Sequence, residues 1–285
     1  MKTFVPLNLF KTCIRRIYMI LIFDTYAGLV NQFYDIYYSI CFCKVYNIRF
    51  SFRYCSFRSP DLQNFFPEPF ERLFDKSFLK GEKLYLDYSI IKSDIKPYNC
   101  FNFGGSAAIS LYKKEHLLKQ ILSHNKKYVV IRQIWTLAMG RDYKTNIYSL
   151  IRPTNFLLQR YIKIRSSLIK EPYNFIHYRY EKDFTSHFKV TVSNLDNILK
   201  DTTFANNKLK IFIATSNIQN LIDLKNEKYK NLLFKNDNTL LDLNFEQRAF
   251  IDYMFGLESV ECYGHSKSSF SRMLNDLKGT QNYYA

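Results

Sequence analysis

Four short stretches of the chain carry residue types able to grip a phosphate-bearing ligand. The last begins at Gly264 and runs through Ser268-Ser269-Phe270-Ser271 into a segment that stops at Gly279. Small hydroxyl residues and free backbone amides at the start of a helix form a phosphate cradle, because the helix dipole presents positive charge there. Upstream lies His177-Tyr178-Arg179. On a strand, alternation points His177 and Arg179 the same way and Tyr178 the other. A guanidinium grips a diphosphate through two parallel hydrogen bonds. Glu181 and Asp183 follow, placed to orient that guanidinium or an acceptor. A charged strand end at the surface would read the same way in isolation.

The third stretch is Ala214-Thr215-Ser216 after the apolar Ile211-Phe212-Ile213. Polar residues at such a strand end contact a nucleotide base or ribose, or only cap the next helix. The fourth is Ala27-Gly28-Leu29-Val30-Asn31-Gln32. A glycine at a strand-to-helix turn lets backbone approach a ligand closely, and Asn31 and Gln32 offer amides to phosphate or sugar oxygens. An ordinary turn with a polar helix start fits equally. Together the serine turn and His177-Tyr178-Arg179 suggest an enzyme that holds a sugar nucleotide by its diphosphate.

These stretches need scaffolding, and the pattern supplies it. Ile17 to Phe23 reads as a buried strand, Asn31 to Val45 as a helix, Ile48 to Phe52 and Lys83 to Tyr88 as short strands. Leu117, Leu118, Ile121 and Leu122 mark one helix face, and Tyr128 to Ile131 a strand. Beyond them come a helix over Phe156 to Ile169 and strands at Asn174 to His177 and Leu209 to Ala214. Helices follow at Ile218 to Leu224 and Phe245 to Phe255. A strand at Val260 to Tyr263 and a helix over Ser269 to Lys278 close the chain. A short helix through Ile198 and Leu199 is capped by Ser193. Such alternation predicts an α/β protein with parallel sheets wrapped by helices. Ser56 to Pro97 is the least regular part and reads as inserted loops. Two Rossmann-like domains fit the length, 1–152 and 153–285, with the junction at Arg152-Pro153, where proline interrupts the pattern.

Composition narrows the classes. The chain has 285 residues, 47% hydrophobic and 18% aromatic, enough for a sizeable core. Eight Gly and seven Pro disfavour Gly-rich repeats and disordered linkers. The net charge of +16 is spread along the chain, and the abundance of Phe, Tyr, Ile, Asn and Lys fits a coding bias. Nucleic-acid binding is therefore disfavoured, while a non-catalytic polyanion-binding protein stays as an alternative. The apolar run at Ile17 to Phe23 is too short to span a bilayer, and no cleavage site follows it. A cytoplasmic location is favoured on that ground, with the ER or Golgi lumen as the alternative. The six cysteines form no C-x-x-C pair, which disfavours zinc and thioredoxin-like motifs, and most read as buried small hydrophobes.

In this order the four stretches resemble the protein O-fucosyltransferase group and its α1,6- and α1,2-fucosyltransferase relatives. Gly28 to Gln32 is similar to the family's N-terminal loop and His177-Tyr178-Arg179 to its His-x-Arg motif. Ala214-Thr215-Ser216 is similar to its Ala-Thr-Asp strand end, and "YGHSKSSFSRMLNDLKG" to its closing pattern. The likeness is densest over residues 150–285. It implies a GT-B-like fold, two Rossmann-like domains with parallel sheets facing across a cleft, the N-terminal one on the acceptor side. It also implies transfer of fucose from GDP-fucose with inversion, to a protein or glycan hydroxyl, with no metal and no cofactor. On this model Arg179 neutralises the leaving phosphate, and Ser268, Ser269 and Phe270 hold the diphosphate. His177, Thr215 and Ser216 contact the nucleotide, Gly28 and Asn31 lie by phosphate and acceptor, and Glu181 and Asp183 are candidate bases. The chain departs from the pattern at three places: Ser216 replaces the Asp of the strand end, His265 an Asn and Ala27 a Gly. Ser216 opens the alternative of another nucleotide sugar.

Overall fold

The computed structural model describes residues 18–59, 64–103, 114–132, 134, 151–180, 182–201, 209–215, 218–235 and 240–284. The chain divides between Thr154 and Asn155 into two compact units, each built on a five-stranded sheet.

The first unit starts with β1 (Ile20–Asp24), buried at all five positions. A central strand of a parallel sheet is covered on both faces, which is why it reads as an unbroken apolar run. Helix α1 (Leu29–Tyr46) follows and ends at Asn47 in the left-handed region, φ 52°. Next come β2 (Arg49–Arg58), β3 (Phe65–Pro69), α2 (Tyr88–Ile91), β4 (Cys100–Phe103), α3 (Lys114–Ser123) and β5 (Tyr128–Arg132). The order is β3-β2-β1-β5-β4, parallel except for the β2/β3 hairpin. An aromatic stack of Phe52 on Phe70 at 4.9 Å and Phe70 on Phe74 at 4.8 Å fills the core beside β2. Such pairs add about 0.5–1.5 kcal/mol each beyond area burial.

Two expectations for this unit are corrected. Ser56 to Arg58 continue β2, and the stretch beyond holds β3 and two 3-10 turns, Phe70–Arg72 and Lys76–Leu79, so it is more regular than expected. Lys83 to Tyr88 is a turn that touches β2 by one bridge, Phe50 to Tyr85, and leads into α2.

The second unit contains α4 (Asn155–Leu168), β6 (Tyr173–His177), α5 (Lys182–Phe188), α6 (Leu195–Asp201), β7 (Lys210–Ala214) and α7 (Ile218–Glu227). It continues with β8 (Leu232–Leu233), α8 (Phe245–Glu258), β9 (Cys262–His265), α9 (Ser269–Lys278) and β10 (Tyr283–Tyr284). Its sheet is parallel throughout, in the order β10-β9-β6-β7-β8. Alternation on β6 decides what faces what. Phe175 faces Phe212 at 6.0 Å, and Phe212 stacks on Phe255 of α8 at 4.1 Å. Ile176 packs on the other face with Leu195, Ile198, Leu199 and Leu221. The closing strand lies two residues later than Val260 to Tyr263, because β9 registers Cys262 to Gly264 against Phe175 to His177. Asn194 rather than Ser193 caps α6, its Oδ1 accepting from Asp196 N–H at 2.8 Å.

No helix among the described residues is long and apolar enough to cross a membrane. Cys41, Cys43, Cys55, Cys100 and Cys262 are in no disulfide.

Candidate active site

From β6 the chain builds outward through β7 to β8 and then returns to the other side of β6 with β9. This reversal makes the carboxyl ends of β6 and β9 a topological switch point, where open α/β sheets bind ligands. His177 ends β6, with Arg179 two residues on, and Gly264 and His265 end β9. His177 and Gly264 are register partners. The glycine is needed there: a Cβ would fall 2.2 Å from Ser271 Oγ and 2.6 Å from Ser271 Cβ. Its absence lets α9 begin hard against the strand.

The start of α9 closes over β6. His177 Nδ1 lies 2.9 Å from Ser271 Oγ, and its ring lies 4.3 Å from that of Phe270. Ser268 is the N-cap, with its hydroxyl accepting from Ser271 N–H. The remaining first-turn amides have no partner within the helix, so they and the dipole favour an anion at this edge. Ser268 is buried, and Ser269 is partly exposed on the first turn.

Arg179 is held at its backbone. Its N–H donates to Tyr284 Oη at 2.9 Å, and that hydroxyl donates to His177 C=O at 2.8 Å. The Arg179 guanidinium carbon stands 5.4 Å from the Phe184 ring, and Phe184 meets His265 edge-on at 5.0 Å. His265 Nδ1 accepts from Lys267 N–H, so a neutral His265 carries its proton on Nε2. The His177 imidazole is pushed down to about 3 by burial first, then by the charges of Arg179, Lys235 and His265. It is therefore a neutral hydrogen-bonding group in the neutral range.

Lys235 drew no notice in the sequence. It follows the two-residue strand β8, is 8% exposed, and pairs with Asp252 of α8 at 2.5 Å. Its charge is one of the lesser causes that lower the His177 imidazole, and its pairing with Asp252 ties the end of β8 to α8. A lysine after so short an apolar run carries no pattern; only the sheet order reveals its place.

Thr215 leaves β7 directly after Ala214, the register partner of His177. Glu181 and Ser216 lie outside the described residues, as does the side chain of Asp183, whose backbone is in the first turn of α5. The structure thus gathers His177, Arg179, Ser268 and Phe270 at one sheet edge, with Thr215 on the neighbouring strand.

Gly28 and Asn31 belong to the first unit, at the end of β1. Gly28 is the N-cap of α1 and has an extended backbone, while Ala27 before it sits in the left-handed region at φ 73°. Asn31 is partly exposed in the first turn. Gln32 is corrected from ligand contact to scaffold. Fully buried, its Oε1 accepts from Thr25 Oγ1 at 2.7 Å and Ser56 N–H at 2.9 Å, and its Nε2 donates to the carbonyls of Ala27 and Ser56. All its amide valences tie the loop to β2.

No family model and no curated protein matches the sequence. Solved structures do match in shape. One is POFUT1 in complex with GDP, with a TM-score of 0.66 at 12% identity, over 94% of this chain and 99% of that one. POFUT1 with GDP-fucose gives 0.65 at 11% identity, over 93% and 97% of the two chains. The fucosyltransferase NodZ from Bradyrhizobium gives 0.57 at 11% identity, over 90% and 92%. The chain has the fold of POFUT1 and of NodZ: α/β and GT-B-like, built from two Rossmann-like units.

Proposed function

We propose that this protein is an inverting glycosyltransferase of fucosyltransferase type, moving fucose from GDP-fucose to a hydroxyl of a protein or glycan acceptor. The observation that carries the reading is the junction of the β6 exit with the start of α9, through His177 and Ser271 at 2.9 Å. It puts the backbone of Arg179 and a capped helix N-terminus on one edge of the second sheet. The fold shared with POFUT1 and NodZ supports the same reading.

In the proposed reaction the acceptor hydroxyl attacks the anomeric carbon from the face opposite the diphosphate and gives its proton to a carboxylate, for which Glu181 and Asp183 are the candidates. The bond from that carbon to the β-phosphate oxygen breaks, and negative charge grows on GDP. In this reading Arg179 and the α9 amides take that charge, and the reading calls for no metal. His177, kept neutral, donates or accepts one hydrogen bond without adding charge. Removing a preorganised donor to a developing anion costs roughly 100- to 1000-fold in rate.

The test is transfer and hydrolysis of GDP-fucose by the full chain and by Arg179→Ala. Equal activity in the two rejects the role of Arg179. A second reading keeps the chemistry and changes the donor, because Ser216 stands where the resembling family has Asp. A thermal-shift panel of GDP-, UDP- and TDP-sugars separates the two: stabilisation by UDP-sugars alone overturns GDP.

A further inference from the structure

His265, one of the three departures from the resembling pattern, is buried at the end of β9. Its Nδ1 accepts from Lys267 N–H at 3.1 Å, and its carbonyl accepts from Ser268 N–H at 3.0 Å. An asparagine Oδ1 takes an N–H two residues on equally well, so the turn into α9 has no need of an imidazole. Burial, and then the charge of Lys267, push the imidazole's pKa down, which keeps Nδ1 in its accepting form. What the histidine adds over an asparagine is its ring.

That ring meets Phe184 edge-on, at 5.0 Å and 79°, and Tyr284 edge-on, at 5.6 Å and 87°. Both neighbours lead to Arg179. The guanidinium carbon stands 5.4 Å from the centre of the buried Phe184 ring, and Tyr284 Oη takes the Arg179 N–H at 2.9 Å. Phe184 belongs to α5, a helix of seven residues. A helix so short is held by packing rather than by its own ladder. Phe188, 5.0 Å from Phe184, is on the same helix, whereas His265 ties Phe184 to β9. One side chain therefore touches both the turn that opens α9 and the ring beside Arg179.

We propose that His265 is a positioning residue for Arg179: its ring holds Phe184 against β9, and Phe184 fixes the guanidinium for the β-phosphate of a nucleoside diphosphate. The inference rests on the transferase reading above and lies wholly within the second unit. A guanidinium held beside an aromatic face is preorganised, so it loses less freedom when it pairs with phosphate. A nucleoside monophosphate lacks the group that Arg179 would take, and so serves as the internal control.

The test is calorimetric binding of GDP and GMP to the full chain, with the urea midpoint of each variant alongside. His265→Asn keeps an acceptor for Lys267 N–H and removes the ring. It should weaken GDP about tenfold and leave GMP within about twofold of its starting affinity. Phe184→Leu removes the aromatic face beside the guanidinium and should do the same; it carries the test if His265→Asn fails to fold. In a chain that already has Arg179→Ala, neither substitution should weaken GDP further. Equal weakening of GDP and GMP would mean general damage to the site and overturns the proposal. A GDP loss that persists beside Arg179→Ala also overturns it, as does unchanged GDP affinity in either folded variant. Absence of GDP binding by the unaltered chain would overturn the transferase reading and this inference with it; the other adverse results strike the inference alone.

Discussion

Tyr284 Oη accepts a hydrogen bond from Arg179 N–H at 2.9 Å, and the same hydroxyl donates to His177 C=O at 2.8 Å. One phenol thus satisfies both backbone groups that flank Tyr178, where β6 leaves the sheet. Tyr284→Phe keeps the ring among Tyr178, Tyr263 and His265 and removes both bonds. Two backbone groups lose their partner, at a cost of roughly 1–3 kcal/mol in urea unfolding. GDP affinity should fall with it, because the Arg179 side chain is aimed by that backbone. A variant that loses stability and binds GDP as before would limit Tyr284 to a structural role.

Gly264 separates β9 from Ser271 with no room to spare. Gly264→Ala drives a methyl group into Ser271 and should destabilise the second unit by about 1–3 kcal/mol, the usual cost of overpacking. It should also displace Ser271 from His177 and weaken GDP binding. Ser271→Gly in the same chain removes the clash and should restore part of the stability while leaving GDP binding weak. Full recovery of binding would show that the bond between His177 and Ser271 is dispensable.

Ala27 holds φ 73°, a conformation in which a β-carbon crowds the following carbonyl. Ala27→Gly removes that strain, partly offset by greater freedom of the unfolded chain. A net gain of about 0.5–1 kcal/mol is expected from denaturant midpoints. Ala27→Val should move stability the opposite way.

His177 sets an acid limit. Its pKa falls from 6.5 to about 3 on folding, so between those values the unfolded chain binds the extra proton and the folded chain does not. Stability from this group is therefore complete above 6.5 and is lost as pH drops toward 3. His177→Gln should flatten the acid side of the stability profile. Proton exchange by NMR should find the His177 ring neutral in mildly acidic solution; a normal titration there would contradict its packing.

How much of this could be read in advance follows from what each element needs. β1, β5, β6 and β7 are covered on both faces, so composition alone marked them. β9 was misplaced because Val260 is apolar yet 54% exposed, and only pairing with β6 fixes the start at Cys262. β2 runs on through Tyr54, Ser56 and Arg58, polar types that resemble loop, and β3 is an edge strand carrying Pro67 and Pro69, where lost ladder donors are tolerated. The Ser268 cap of α9 was legible because capping is a local rule. Gln32 misled because an amide that saturates a loop and an amide that greets a ligand are the same residue type. The pairing of Lys235 with Asp252 emerged only once the second sheet and α8 were placed.

The order of the second sheet also bears on how this protein matures. β9 and α9 pack beside β6 although β7 and β8 intervene in the sequence, so the proposed donor cradle joins segments far apart along the chain. Contacts of that span are slow to form and costly in loop entropy. A nascent second unit lacking β9 would lack one side of that proposed cradle. On the proposed function, GDP would stabilise only the completed sheet, by mass action.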